Sequence, residues 1–123
     1  MLPSRAWATM AGTAGGLAGD VPSLARWSHA LLGGHVLAPD SLRQMTSFHS
    51  FDPLDGYGLG LMRDSFQGRD MWGHIGDGRG SHTGLWHLPR PDVTIAVSWN
   101  DDAIEREGNI LPALLGEVFK PRR

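Results

Sequence analysis

The chemistry-bearing stretch of this sequence is Trp72-Gly73-His74-Ile75-Gly76-Asp77-Gly78-Arg79-Gly80. Four of its nine residues are glycine, so backbone can approach backbone, or a ligand, where a Cβ would stand in the way. His74 places an imidazole, the side chain that changes charge near neutral pH, inside that permissive frame. Other routes to chemistry are closed. Gly-x-Ser-x-Gly does not occur, and Ser81 in Gly80-Ser81-His82 lies in a strand-like run without an elbow. The six histidines show neither a His-x-x-x-His pair nor a carboxylate at ligand spacing, so no metal site is expected. Gly76-x-Gly78-x-Gly80 leads into a strand rather than a helix N-terminus, which argues against a phosphate loop.

The spacing of His74, Gly76, Gly80 and Pro89 resembles the third motif of the serine β-lactamase, penicillin-binding protein and esterase superfamily, in its class C-like branch. In that branch a Lys or His, a small residue and a Gly lie on the strand flanking the nucleophilic serine. The Ala14-Gly15-Gly16-Leu17 segment and Tyr57-Gly58-Leu59-Gly60 are further points of resemblance, which runs from about residue 14 to the C-terminus. It covers only the C-terminal portion of the family domain. His82-Thr83-Gly84 also spells the motif, but the glycine and proline that should follow are misplaced, so His74 is preferred.

The resemblance implies an acyl-transfer reaction: a serine of Ser-x-x-Lys attacks a carbonyl, and the acyl-enzyme is then hydrolysed. His74 would orient a tyrosine, stabilise negative charge or contact the substrate. The backbone N–H of Asp77 would be one of two oxyanion donors, and Ile75 and Gly76 would line the substrate. Ile75 stands where penicillin-recognising members have Thr or Ser, which tilts the expectation toward an esterase-like substrate. Tyr57 lacks the Tyr-x-Asn context of the family's catalytic tyrosine and is expected to pack. The chain also departs from the family in a larger way. Its one lysine is Lys120, with Glu117 three positions before it, so Ser-x-x-Lys is absent, as is Tyr-x-Asn.

The elements that must position His74 follow from pattern. Residues 1–19 read as a loop-like lead-in. Asp20 as N-cap, Pro22 in the first turn and Gly33-Gly34 as terminator bound a helix over 21–32, with Leu24, Trp27 and Leu31 on one face. His29 and His35 are expected at its solvent side and end. Pro39 opens a second helix reaching Met45, and 47–55 is a Pro- and Asp-rich loop containing a surface His49. Strands are expected at 57–61, 71–75, 80–88 and 94–100, joined by polar turns at 67–70, 77–79 and 89–92. Along 80–88, His82, Gly84, Trp86 and Leu88 alternate with Ser81, Thr83, Leu85 and His87. Asp102 and Glu105 suggest a capping box interrupted by Gly108 and Pro112. A last helix starts after Asn109 and runs over 110–120, with Leu111, Leu114, Leu115 and Val118 facing the sheet.

The expected fold class is therefore α+β: an antiparallel meander, a C-terminal helix packed on it and two N-terminal helices, a partial β-lactamase-like fold. The chain reads as a single partial domain over 1–123, helical over 20–46, with strands and the last helix over 57–123.

Composition bounds the rest. Hydrophobic residues at 41% and charged residues at 20% are ordinary globular usage. A net charge of −2 without a basic cluster offers no footprint for nucleic acid or a membrane surface. The absence of cysteine excludes disulfides and thiolate metal sites, and no cofactor is called for. Glycines interrupt the first twenty residues too often for a signal segment, and compartment stays open. Three readings stand: part of a β-lactamase-like serine hydrolase, inactive alone, whose ester or amide substrate needs an N-terminal half; an interaction module that self-associates or pairs through an exposed edge strand at 71–75; or an unrelated α+β domain whose glycine turn is structural.

Overall fold

The structure, a computed structural model, describes residues 9, 11–78, 80–101 and 110–120. The capping box at Asp102 and Glu105, the Asn109 cap and Arg79 lie outside the described residues. Among the described residues three α-helices, α1 (Val21–Leu32), α2 (Pro39–Met45) and α3 (Ile110–Val118), accompany a six-stranded sheet, with a 3-10 turn at Gly12–Ala14 before them. The strands are β1 (His49–Phe51), β2 (Leu54–Tyr57), β3 (Met62–Phe66), β4 (Arg69–Gly78), β5 (Ser81–Leu88) and β6 (Val93–Trp99). Every pair is antiparallel and the spatial order is the chain order, an uninterrupted meander. This is the expected α+β, partial β-lactamase-like architecture.

Local chemistry sets the helix ends. The Ser23 N–H donates to Asp20 Oδ1 at 2.6 Å while Asp20 itself is extended, a capped start with Pro22 in the first turn. At the other end Gly34, at φ +83°, turns the chain so that the His35 N–H reaches the Ala30 carbonyl at 2.9 Å. The Gln67-Gly68 turn between β3 and β4 has both residues at positive φ, 49° and 75°, the twist that suits a two-residue hairpin.

The sheet has two different faces. On one, Met71, Trp86 and Leu88 close against Leu111 and Leu115 of α3, with Met62, Phe66, Ile75, Ile95 and Phe119 around them. Leu88 and Leu115 are fully buried and Trp86 is 2% exposed. On the other face α1 lies across β5 and β6.

Several expectations need correction. The segment 47–55 is not all loop: β1 and the first half of β2 lie in it, joined at Asp52-Pro53. Residues 58–61 are not strand; the Gly58 N–H donates to the Leu61 carbonyl at 2.7 Å and Gly60 sits at φ +71°, so the chain turns there and β3 follows. On α1 the buried residues are Ser28 and Leu32, while Trp27 is 54% exposed. The small Ser28 lets the helix approach the sheet where a tryptophan would hold it off. In α3 only Leu111 and Leu115 are buried; Leu114 and Val118 stay exposed. Finally, 71–75 is not an exposed edge, because β3 pairs with β4 as far as Met62 opposite Gly73. Beyond that point, residues 74–78 pair with β5 alone among the described residues.

Candidate functional site

His74 is the first residue of β4 past the end of β3. Its neighbour across β5 is Leu85, and its ring faces α1, where a cavity of about 170 Å³ is bounded by Trp27, Ser28, Leu31, Leu61 and Leu85. The tight packing upstream is enforced by Gly73: a Cβ there would run into the Leu85 carbonyl.

The imidazole is held at both nitrogens. Nδ1 lies against the Ile75 carbonyl, an acceptor, so Nδ1 carries the proton and donates it. Nε2 and the Tyr57 hydroxyl share a hydrogen bond at 2.8 Å. The two rings meet edge to face, with centroids 5.8 Å apart and an interplanar angle of 87°. Phe51 supports Tyr57 from the other side at 5.5 Å. Packing is therefore part of the role expected of Tyr57, and the hydroxyl adds a direct bond to His74 from a residue seventeen positions earlier. No local spacing connects the two; the turn at 58–61 and the β2–β3–β4 meander do.

Strand alternation sorts the other residues of the stretch. Ile75 points to the α3 face and packs against the core cluster, so the group it presents toward His74 is its carbonyl. Asp77 shares that face, and its carboxylate takes a bond from His82 Nδ1 at 3.0 Å. Its backbone belongs to the segment paired only with β5. Gly76 shares the face of His74, and a Cβ built there meets no atom within 4 Å. The fold of the described residues supplies no steric reason for glycine at that position, unlike Gly73. His82 stacks on Trp99, with centroids 5.3 Å apart and rings 13° from parallel, on the far face of the sheet from His74.

A second polar grouping lies on the α1 face. His29 of α1, His87 of β5 and Asp92 of the β5–β6 turn bring one ligand atom each within 4.8 Å of one another. Sequence reasoning missed it because the carboxylate reaches His87 around a hairpin. The positive φ of 67° at Asp92, which Asp tolerates better than most residues, was not visible in spacing.

The glycine-framed histidine strand, its hydrogen-bonded tyrosine and the meander agree with the family comparison, in which the Beta-lactamase family model matches residues 1–118. The chain belongs to the beta-lactamase family. Solved structures agree with the assignment. A D-stereospecific amidohydrolase from Streptomyces sp. is 29% identical with a TM-score of 0.70, over 84% of this chain and 31% of that one. SurE, solved with D-Leu, is 25% identical with a TM-score of 0.68, over 83% and 26%. The D-amino acid amidase of Ochrobactrum anthropi SV3, at 17% identity and a TM-score of 0.62 over 76% and 30%, shares the fold. This beta-lactamase-family chain thus spans about a third or less of the proteins it resembles. No curated protein matches it significantly.

Proposed function

We propose that this chain contributes the third-motif strand of a serine amide hydrolase, is inactive alone, and works with a segment that supplies Ser-x-x-Lys and Tyr-x-Asn. The hydrogen bond between Tyr57 and His74, on a strand segment paired on one side only, is the observation that carries this reading. An imidazole held at both nitrogens beside a cavity is oriented as an acyl-transfer site needs to hold a reacting partner. The serine oxygen would bond to the substrate carbonyl carbon, and its proton would pass to the lysine–tyrosine pair. The amine would leave protonated, and water would release the acid. The Asp77 N–H would face the oxyanion, and the open side of Gly76 would let the substrate backbone lie against the strand.

An amide of a D-amino acid is the substrate class favoured: the relatives at 25% identity or more include a D-stereospecific amidohydrolase and a protein solved with D-Leu. The test begins with translation of the DNA upstream of the Met1 codon in the same frame, followed by assay of the joined polypeptide on D- and L-leucine p-nitroanilide and on a chromogenic cephalosporin. We expect cleavage of the D-anilide, none by the 123-residue chain alone, and a fall in kcat of roughly 10²–10³ on His74→Ala, the size of losing one oxyanion-type contact. Full activity of His74→Ala would remove His74 from the site. The half-paired segment 74–78 also favours a second reading, a non-catalytic module that adds a strand from a second copy. A stable dimer by sedimentation, with no hydrolysis by the joined polypeptide, would select it.

A further inference from the structure

We infer that His29, His87 and Asp92 form a zinc site that fastens α1 to the β5–β6 hairpin. Their ligand atoms converge without bonding one another. His29 Nδ1 stands 3.6 Å and His87 Nε2 3.9 Å from Asp92 Oδ1, both beyond the roughly 2.7–3.2 Å of a hydrogen bond. His87 Nδ1 is engaged elsewhere, donating to Thr94 Oγ1 at 2.9 Å. With Nδ1 occupied by the hydroxyl, Nε2 is the ring nitrogen turned toward the Asp92 carboxylate. Three ligand atoms from three separate elements thus lie within 4.8 Å of one another, as around a shared cation.

The surroundings suit a metal better than a bare proton. His87 is 2% exposed, so packing holds its ring in place within the group. The Thr94 hydroxyl, which also lies 3.5 Å from His29 Nδ1, is the outer partner that ligating histidines ordinarily have. Two imidazoles and one carboxylate are a zinc donor set, with a fourth position left open. Tetrahedral zinc with bonds near 2.0–2.1 Å puts ligand atoms roughly 3.3 Å apart. The two separations from Asp92 Oδ1, 3.6 and 3.9 Å, lie near that spacing, and all three ligand atoms lie within 4.8 Å of one another. His29 and Asp92, at 45% and 63% side-chain exposure, have the freedom to draw closer.

The consequence is mechanical. His29 follows Ser28, which lines the His74 cavity, so a metal at His29 holds one wall of that cavity to the hairpin. This inference does not rest on the hydrolase reading.

The test is calorimetric titration of the untagged, chelator-treated chain with zinc chloride, with cobalt(II) as a spectroscopic probe. We expect one equivalent bound saturably, a visible cobalt spectrum of tetrahedral type and a rise in Tm with zinc. His29→Gln and Asp92→Asn should each weaken binding more than tenfold; Asn also tolerates the left-handed backbone at 92. Thr94→Val should weaken it by roughly 10–100-fold by releasing His87. His35→Gln and His49→Gln, at exposed positions outside the cluster, should change nothing. Failure of zinc to bind saturably, retention of one equivalent in both His29→Gln and Asp92→Asn, or loss of it in His35→Gln would each overturn the assignment.

Discussion

The two faces of this sheet are built to different rules. On the α3 face, Met71, Trp86 and Leu88 meet Leu111 and Leu115 in a closed apolar contact. On the α1 face the same strands present His74, His87 and Thr94, and the helix that covers them brings Ser28 and His29. One face is specified by area removed from water, which is indifferent to direction. The other is specified by hydrogen bonds, which are not. The strand alternation that puts Ile75 into the core is what frees His74 for the opposite side, so the core contact and the Tyr57 hydrogen bond are carried by neighbouring residues of one strand.

The largest effect should come from breaking the apolar face. Leu115→Ala removes a fully buried side chain and should cost about 2–5 kcal/mol in chemical denaturation. His74→Ala, at a half-buried polar position, should cost far less stability. Equal losses for the two variants would dissolve the contrast between the faces.

The glycines of β4 sharpen the comparison within five residues. Gly73→Ala drives a Cβ into the Leu85 carbonyl, a backbone atom that cannot swing away, and should destabilise by about 1–3 kcal/mol. Gly76→Ala enters open space and should change stability by less than about 0.5 kcal/mol. On the proposed function, its effect should appear instead in the KM of the joined polypeptide. A Gly76→Ala variant that melted like Gly73→Ala would make both glycines structural.

Tyr57→Phe keeps the ring against Phe51 and His74 and deletes only the hydroxyl. The bond it removes is worth about 0.5–1.5 kcal/mol, or up to about tenfold in kcat of the joined polypeptide with KM unchanged. A matching rise in KM, with kcat untouched, would make Tyr57 a binding contact rather than the positioning residue for His74.

Much of this was legible in the sequence, for identifiable reasons. Asp20, Pro22, Gly33 and Pro39 act within one turn of their own positions, so the bounds of α1 and the start of α2 could be read directly. Alternation in β5 and β6 separated the two faces, and the same alternation applied to β4 would have sent Ile75 into the core. β3 escaped because Arg63-Asp64-Ser65 has no apolar period; what holds it is pairing with β4 and the Arg63–Asp70 ion pair at 2.9 Å. The glycine spacing singled out His74, but its bond to Tyr57 and the meeting of His29, His87 and Asp92 depend on the folded path of the chain. Local pattern carries no record of that path.

The smallest effect tests whether α1 is held by its own end or by what it covers. The Ser23 backbone N–H, and after it the Ser23 hydroxyl, hold the Asp20 carboxyl below its ordinary pKa. A carboxyl lowered in the folded state contributes stability above its unfolded pKa and loses that contribution as pH falls through the folded value. Acidification below about pH 4 should therefore remove the cap. Asp20→Ala should lower Tm slightly at pH 7 and not at all at pH 2, whereas Asp20→Ser, which caps without a charge, should restore Tm at pH 7 and keep it on acidification. Because Asp20 is exposed, the difference should be the least of the set. A loss at pH 7 as large as that of Leu115→Ala would mean that the α1 face depends on its helix terminus, and that the polar contacts beneath α1 do little to keep it on the sheet.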